Sequence, residues 1–113
     1  MKKLISALAI SAVALTAMAQ GKELKVAIDP TYEPFTFKTA DGKPTGFDVD
    51  IANAVCEQIK RKCVFVEQVW DSMIPGLQAK KYDTIISSMS ITEDRLKVVA
   101  FTDKYFKIDV YGK

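Results

Sequence analysis

The stretch Tyr82–Arg95, Y-D-T-I-I-S-S-M-S-I-T-E-D-R, changes from apolar to polar halfway along its length. Its beginning, Tyr82–Ile86, is short, apolar and β-branched, which predicts a strand buried in a sheet. Serines follow at three of the next four positions, and Thr92 is then a good N-cap for a helix whose first turn carries two acids. A strand that leads through hydroxyl groups into a helix N-terminus presents several hydrogen-bond donors to a small anion such as a carboxylate.

Arg95 strengthens the prediction of an anion site. It lies three residues after the predicted cap, where its planar guanidinium can bind both oxygens of the same carboxylate. The alternative interpretation is a polar turn that binds no ligand, with Arg95 solvated at the surface.

The first 19 residues predict a secretory signal peptide. Lys2 and Lys3 form its basic region, Leu4–Thr16 its apolar region and Ala17–Ala19 a cleavage site of small residues. The apolar run is too short and too rich in Ala and Ser for a membrane span. No cysteine follows the cleavage site, so we expect no lipid anchor. The protein is predicted to be exported and soluble.

The mature chain is electrically balanced. The whole sequence has 16 Lys and Arg against 14 Asp and Glu, and two of the lysines lie in the signal peptide, which leaves 14 of each sign. This balance does not indicate a nucleic-acid partner or a membrane-surface partner. With 113 residues there is room for at most one domain.

Two cysteines, Cys56 and Cys63, are separated by seven positions, and the chain has no histidine. In an exported protein a single pair of cysteines predicts a disulfide bond. The bond would join the end of one helix to the start of the next strand. A metal site would need more ligands than two thiolates, so we expect no metal and a structural role for the pair.

Strands and helices alternate along the mature chain, and prolines and glycines mark the loops between them. This order predicts a doubly wound α/β fold with a largely parallel sheet. The predicted strands are Glu23–Ile28, Cys63–Val69, Tyr82–Ile86 and Ile108–Tyr111, the predicted helices occupy 48–60, 71–80 and 92–99, and a hairpin occupies 35–47.

The first and second helices are expected to begin at acidic caps. Asp48 or Asp50 is the predicted cap of the first helix, and Asp71 is that of the second. We interpret Asp48 and Asp50 as caps and structural groups, not as site residues. The apolar face of the first helix is predicted to contain Ile51, Ala52, Val55, Cys56 and Ile59.

Ligands of doubly wound sheets bind beyond the carboxyl ends of the strands. A site at that edge is expected to use the polar and aromatic side chains that follow each strand, and an aromatic wall suits an aliphatic or cationic stem. The alternatives are a turn cap for Asp29 and a place in the core for Trp70. The candidates are Asp29 and Tyr32 after the first strand, Trp70 after the second, and Ser87, Ser88 and Ser90 after the third.

The residue types present give little support for catalysis. There is no histidine to act as a base, and the sequence lacks a nucleophile elbow, a phosphate-binding glycine loop and a zinc-protease motif. Ser87 or Ser88 with a lysine base is conceivable, as is Asp29 with Glu33, but nothing in the sequence positions either pair. We expect no catalytic residue and no cofactor, and we predict a binding protein, not an enzyme.

Five segments of the mature chain resemble the polar amino-acid-binding proteins of periplasmic ABC importers, most of all their lysine/arginine/ornithine- and histidine-binding branch. The segments occur in order and at the spacing of the family, and the two cysteines match the disulfide of that branch. The resemblance implies a monomeric periplasmic protein that binds a polar amino acid and delivers it to an ABC permease in the inner membrane. The segments are D-P-T-Y-E-P-F (29–35), G-F-D-V-D-I-A (46–52), W-D-S-M-I-P-G-L-Q-A-K-K-Y-D (70–83), I-I-S-S-M-S-I-T-E-D-R (85–95) and F-T-D-K-Y-F (101–106).

The resemblance also implies a role for each candidate. Arg95 would clamp the α-carboxylate of the ligand, helped by the backbone N–H of Ser90. Ser88 would accept a hydrogen bond from the α-ammonium.

At the other end of the ligand, Asp29 and Ser87 would meet the distal charged or polar group. Tyr32 and Trp70 would sandwich the aliphatic stem. Trp70 stands where relatives often carry a different apolar residue, and glutamine-binding members also carry an acid at the position of Asp29. The serine run at 87–90 favours a cationic amino acid as the ligand, and opines are among the possible cationic ligands.

Family members have two lobes that close on the ligand. The resemblance assigns 20–107 to the first lobe and 108–113 to the start of the crossover strand, with the second lobe absent. Because one lobe leaves the site half-solvated, weak or no binding is predicted for the chain as given. Two other classes are kept as alternatives: an enzyme on the same fold, such as a periplasmic dehydratase, and a ligand-sensing module of a receptor.

Overall fold

The structure, a computed structural model, describes residues 23–107, so the predicted signal peptide and the predicted strand Ile108–Tyr111 lie outside the described residues. Strands and helices alternate along this part of the chain, as the sequence predicts. In chain order the elements are β1 (Leu24–Ile28), β2 (Phe37–Lys38), β3 (Pro44–Thr45), α1 (Phe47–Gln58), β4 (Cys63–Glu67), a 3-10 turn (Trp70–Ser72), α2 (Met73–Gln78), β5 (Thr84–Ile85) and α3 (Glu93–Leu96).

The main sheet has three parallel strands in the order β4-β1-β5. Strand β1 lies in the middle, with Leu24 opposite Cys63 and Ile28 opposite Glu67, while Ala27 lies opposite Ile85 of β5. The hairpin β2-β3 is antiparallel and separate from this sheet. The predicted α/β fold with a parallel sheet is confirmed, and the carboxyl ends of its three strands meet at one edge.

The two faces of β1 carry two hydrophobic clusters, because successive side chains of a strand point to opposite faces. Val26 and Ile28 pack with Ala52 and Cys56 of α1. Ala27 points the other way and packs with Met73 of α2 and with Tyr82. Helices α1 and α2 therefore cover opposite faces of the sheet.

Helix α1 begins differently from the prediction. Its N-cap is Gly46 and it has no side-chain cap, so the prediction of Asp48 or Asp50 as the cap is wrong. The first N–H groups of the helix donate to loop carbonyls: that of Phe47 to Pro34 at 3.1 Å and that of Asp48 to Phe35 at 2.8 Å. Backbone carbonyl groups of the loop thus accept the hydrogen bonds that the sequence predicts for an acidic side chain.

The buried face of α1 also differs from the predicted one. Val55 and Ile59 are 41% and 46% exposed. The helix is rotated so that its buried residues are Asp48, Val49, Ala52 and Cys56.

Helix α2 has no acidic cap either. Trp70–Ser72 form a 3-10 turn before it, and its N-cap, Ser72, makes no side-chain capping bond. The prediction for Asp71 is therefore wrong. Pro75 lies in the first turn of the helix, where a missing N–H costs little.

The third strand and the third helix are shorter than predicted. Tyr82 is buried beneath α2, where its hydroxyl donates to the carbonyl oxygen of Met73 at 2.5 Å. This contact takes Tyr82 out of the strand, which keeps only Thr84 and Ile85. Helix α3 is a single turn that ends at Leu96.

Cys56 and Cys63 form the predicted disulfide, with their Cα atoms 5.7 Å apart. The bond joins α1 to the first residue of β4. Among residues 23–107, no helix has the length and apolar character that a membrane crossing requires.

Candidate functional site

The site residues predicted after the three strands lie at the shared carboxyl edge of the sheet. Two of them are in contact across that edge. Ser87 is only 2% exposed, and its Oγ accepts a hydrogen bond of 3.0 Å from the backbone N–H of Asp29. This bond fastens the loop after β5 to the loop after β1.

The carboxylate of Asp29 belongs to the loop after β1. It accepts a hydrogen bond of 2.7 Å from the hydroxyl of Thr31 at the surface, although Asp29 as a whole residue is half-buried. Asp29 therefore stabilises its turn, as the alternative interpretation predicts, but its carboxylate bonds to a side chain and does not cap a backbone group. A carboxylate has about four acceptor positions, so this bond leaves capacity for a cationic or amide group of a ligand.

Arg95, Ser90 and Trp70 form a second group of contacts. The Nη1 atom of Arg95 donates to both the carbonyl oxygen and the Oγ of Ser90, each at 2.9 Å. The guanidinium carbon lies 5.6 Å from the centre of the Trp70 ring, within the range of a cation–π interaction. The side chain is held from two directions, and its Nε–Nη2 edge is the one that can receive two carboxylate oxygens.

Trp70 is half-buried and is not a residue of the two core clusters. The fold therefore does not place Trp70 in the hydrophobic core, which was the alternative interpretation. The cation that its ring contacts belongs to the chain itself, namely Arg95. Its predicted contact with a ligand stem remains a prediction.

Thr92 caps α3 as predicted, since its hydroxyl accepts from the backbone N–H of Arg95 at 3.2 Å. The helix has only four residues. Its dipole is correspondingly small, because the macrodipole grows from aligned peptide units. The predicted anion would therefore be attracted mainly by the guanidinium of Arg95 and by local N–H groups.

Ser88 has a φ of 56°, in the left-handed region that non-glycine residues seldom adopt. This conformation directs its Oγ towards Asp48, where it lies 2.9 Å from each carboxylate oxygen. Asp48 itself is fully buried. The residue interpreted from the sequence as a helix cap is thus in direct contact with a predicted ligand-binding serine.

Asp48 accepts hydrogen bonds from two further hydroxyl groups. The Thr36 hydroxyl donates at 2.7 Å and the Tyr105 hydroxyl at 2.5 Å. Burial, together with the hydrogen bond and the negative charge of Asp48, raises the pKa of Tyr105 well above its usual value of 10.0. Tyr105 therefore stays protonated and acts as a donor throughout the neutral range.

The sequence carries a signal for Asp48 that the prediction did not use. Asp48, Ala52 and Cys56 are spaced by four, so they share one helical face. A carboxylate in line with a buried alanine and a buried cysteine indicates a buried charge, and buried charges need hydrogen-bond partners.

Tyr32 lies in the loop after β1, where its backbone forms a bridge with Thr36. Its ring packs against Phe35, with 5.1 Å between the ring centres. The predicted position of Tyr32 opposite Trp70 across a ligand stem remains a prediction. Within residues 23–107, no cluster of three or more His, Cys, Asp or Glu residues has the arrangement of a metal site.

Comparison with known proteins gives a family match. Residues 24–111 match the bacterial extracellular solute-binding proteins, family 3. The chain is similar to the L-arginine-binding protein of Pseudomonas aeruginosa, at 48% identity over 94% of this chain and 42% of that protein. It is also similar to the histidine-binding periplasmic protein of Salmonella typhimurium, at 45% identity over 90% of this chain and 39% of that protein. The chain thus spans about two fifths of the length of these relatives.

Solved structures show the same fold. The arginine-bound form of domain 1 from TmArgBP superposes with a TM-score of 0.73 at 42% identity, covering 77% of this chain and 68% of that one. The ancestral amino acid-binding protein AncCDT-1, described as a precursor of cyclohexadienyl dehydratase, has a TM-score of 0.73 at 43% identity and covers 80% of this chain and 40% of that one.

Proposed function

The chain belongs to the bacterial extracellular solute-binding proteins, family 3, and from this membership we propose that it binds a cationic amino acid in the periplasm and delivers it to an ABC permease of the inner membrane. Two similar proteins carry names that refer to arginine and histidine. We take arginine as the first ligand to test. We further propose that the protein acts as a monomer.

The observation that carries the proposal is the fixed position of Arg95. Two hydrogen bonds to Ser90 and the face of Trp70 hold the guanidinium at the carboxyl edge of the sheet. A guanidinium held in this way has lost much of its conformational entropy before the ligand arrives, which favours binding. In the proposed complex its free edge binds the α-carboxylate, and the N–H of Ser90 adds a donor.

The remaining roles follow the order of the contacts along the edge. Ser88 would accept from the α-ammonium, and Asp29 with Ser87 would meet the distal cationic group. The bond between Ser87 and the backbone of Asp29 fixes the second pair. Tyr32 and Trp70 would line the aliphatic stem between the two ends.

One solved relative bears on binding by a single lobe. Domain 1 from TmArgBP is described as arginine-bound, and it is the part of that protein with which this chain superposes. This favours weak binding over none for the 113-residue chain. We expect a lower affinity than that of a two-lobe relative, because only one face of the ligand is desolvated.

The test is a thermal-shift and calorimetric screen of the chain against arginine, lysine, ornithine, histidine, glutamine and octopine. A ligand at 100 times its Kd stabilises the folded state by about 2.7 kcal/mol, which is a shift of several degrees for a domain of this size. Stabilisation by the cationic members, with little effect of glutamine, is the expected result. No stabilisation by any of them would contradict the proposal.

Arg95→Lys is the decisive variant. Lysine keeps the charge but loses the planar fork and both bonds to Ser90, so we expect the affinity for arginine to fall by about tenfold or more. Arg61→Lys is the matched control, because Arg61 donates to the carbonyl of Glu23 at the opposite edge of the sheet. Isothermal titration of both variants measures the difference, and equal affinities would argue against a carboxylate clamp at Arg95.

A periplasmic enzyme is the second candidate, favoured by the similarity to AncCDT-1, described as a precursor of a dehydratase. Turnover of a prephenate-like acid by the chain would support it. We favour the binding function because the contacts at the edge of the sheet hold a cation and serine hydroxyls, and Ser87 accepts its hydrogen bond from a backbone N–H group, which cannot act as a base.

A further inference from the structure

We propose that Asp48 is a positioning residue of the ligand site, which fixes the Ser88 hydroxyl as an acceptor for the ammonium group of a bound amino acid. The inference rests on the proposed function and adds to it a residue that lies behind the site. It begins from the burial of Asp48, whose exposed fraction is 0%.

The direction of the hydrogen bonds follows from the chemistry of the groups. An ionised carboxylate only accepts, so Ser88 must donate its single hydroxyl proton to Asp48. Thr36 and Tyr105 donate to the same carboxylate. With its proton committed, the Oγ of Ser88 has only lone pairs to offer on its other side. An ammonium group, which only donates, is the complementary partner.

The charge of Asp48 points the same way. None of the three salt bridges described within residues 23–107, Lys38–Glu67, Lys43–Asp41 and Lys97–Asp94, involves Asp48. Three hydroxyl groups solvate the charge, but a buried carboxylate without a counter-ion still favours a nearby cation. An ammonium bound to Ser88 would be one hydrogen bond further away, roughly 5 Å from the carboxylate, where the Coulomb attraction is still appreciable.

The backbone of Ser88 gives a third observation. Its left-handed φ of 56° is unfavourable for serine. The two contacts with Asp48 fix the side chain in the orientation that this backbone creates. A serine placed only to fill a turn would not need a buried carboxylate as its partner.

The experiment compares two ligands that differ only in the ammonium group. Arginine and its deaminated analogue, 5-guanidinopentanoic acid, are titrated into the wild-type chain and into Asp48→Asn. Asparagine can donate its amide to Ser88 and so turn the hydroxyl proton towards the ligand. We expect about tenfold weaker binding of arginine, which is the effect of losing one charge-assisted hydrogen bond. The affinity for the analogue is expected to change by less than about twofold.

Asp50→Asn is the matched control. It lies two residues further along α1, removes the same charge and is exposed. Neither ligand is expected to bind it differently from the wild type.

The outcomes separate the two proposals. An equal loss for arginine and the analogue in Asp48→Asn would make Asp48 a purely structural residue and overturn this inference alone. Failure of the wild type to bind arginine or any other cationic amino acid of the screen would remove the proposed function and the inference with it.

If Asp48→Asn does not fold, or if the analogue binds too weakly to measure, a crystal structure of the wild-type chain with arginine decides the question. Ser88 Oγ within hydrogen-bonding distance of both Asp48 and the ligand nitrogen would support the inference. A ligand ammonium placed elsewhere, or a Ser88 hydroxyl turned away from Asp48, would overturn it.

Discussion

Gly46 connects the hairpin to α1 at a point where no side chain fits. Its φ is 115°, and a Cβ atom at this position would lie 2.5 Å from the carbonyl oxygen of Phe35. That carbonyl also accepts the N–H of Asp48. Since a clash here would displace the loop that replaces the helix cap, Gly46 is needed for both its backbone angle and its lack of volume.

Gly46→Ala is predicted to destabilise the protein more than Gly42→Ala. Gly42 has a φ of 84°, but an added methyl group there would have no atom within 4 Å, so its substitution costs only the backbone term, about 1 kcal/mol. At Gly46 the steric conflict adds roughly 1–3 kcal/mol. The difference between the two free energies of unfolding, measured with denaturant, checks this. Equal values would mean that the loop moves away from the added methyl group at no cost.

At this scale the sequence was informative where a residue acts through its neighbours in the chain. Thr92 could be predicted as a cap because it bonds to a group three positions away. Asp48 could not be assigned, because its partners Thr36, Ser88 and Tyr105 are 12, 40 and 57 positions distant. Arg95 was predicted as a site residue, but its contact with Trp70 depends on how two loops meet.

The order of strands and helices followed from hydrophobic pattern, since each segment has a clear period. The lengths of these strands and helices could not be predicted from the same pattern. Tyr82 fits a strand pattern, yet it lies outside the strand because its hydroxyl donates a hydrogen bond to the carbonyl oxygen of Met73 in α2. The start of α1 was mispredicted because a loop carbonyl of Phe35 competes successfully with an acidic side chain for the helix N–H groups. Both differences arise from tertiary contacts that local propensity does not contain.

The disulfide is predicted to stabilise the fold without affecting the ligand site. Cys63 begins β4, whereas the site lies beyond the other end of that strand, at Glu67 and after. Four residues of strand span about 13 Å. Replacing both cysteines by serine should lower the free energy of unfolding, because the unfolded chain gains conformational entropy. The loss is expected to be only roughly 2–3 kcal/mol, since the closed loop is short.

Denaturant unfolding and arginine titration of this double variant, beside the wild type with and without a reducing agent, measure the two effects separately. The affinity for arginine is expected to stay within about twofold at a temperature where the variant is folded. A much larger loss of affinity in a folded variant would show that the two edges of the sheet are coupled.

Across the whole described chain, aromatic rings join segments that are distant in sequence. Phe35 from the loop, Phe47 from α1 and Phe106 from the last described segment pack edge to face, at 5.4 to 6.3 Å between ring centres. Tyr105 packs on Phe47 and reaches Asp48 with its hydroxyl. This aromatic group is what attaches the segment after α3 to the rest of the fold.

The attachment is predicted to weaken at alkaline pH. The pKa of Tyr105 is raised in the folded state, first by burial and then by Asp48, above its ordinary value of 10.0. A group with a raised folded-state pKa contributes stability that is complete below its unfolded pKa and is lost as the pH rises towards the folded value. The wild type should therefore lose stability steadily above about pH 10.

Tyr105→Phe isolates this contribution, because it keeps the ring but removes the titrating hydroxyl. Tyr82, whose pKa is also raised by burial, is present in both proteins and cancels from the comparison. Melting temperatures between about pH 8 and 12, a range that brackets the tyrosine titration, should fall less steeply for the variant than for the wild type. Parallel curves would show that Tyr105 titrates in the same way in the folded and unfolded chains.

The left-handed conformation of Ser88 has a consequence for how this sequence can change over generations. Glycine would adopt the same φ without penalty, but it would leave the buried carboxylate of Asp48 with one hydroxyl donor fewer. Losing a hydrogen bond to a buried charge costs about 1.5–3 kcal/mol, which is more than the roughly 1 kcal/mol that the left-handed conformation costs a serine. We therefore expect selection for folding alone to keep the serine, whatever ligand the descendants of this protein bind.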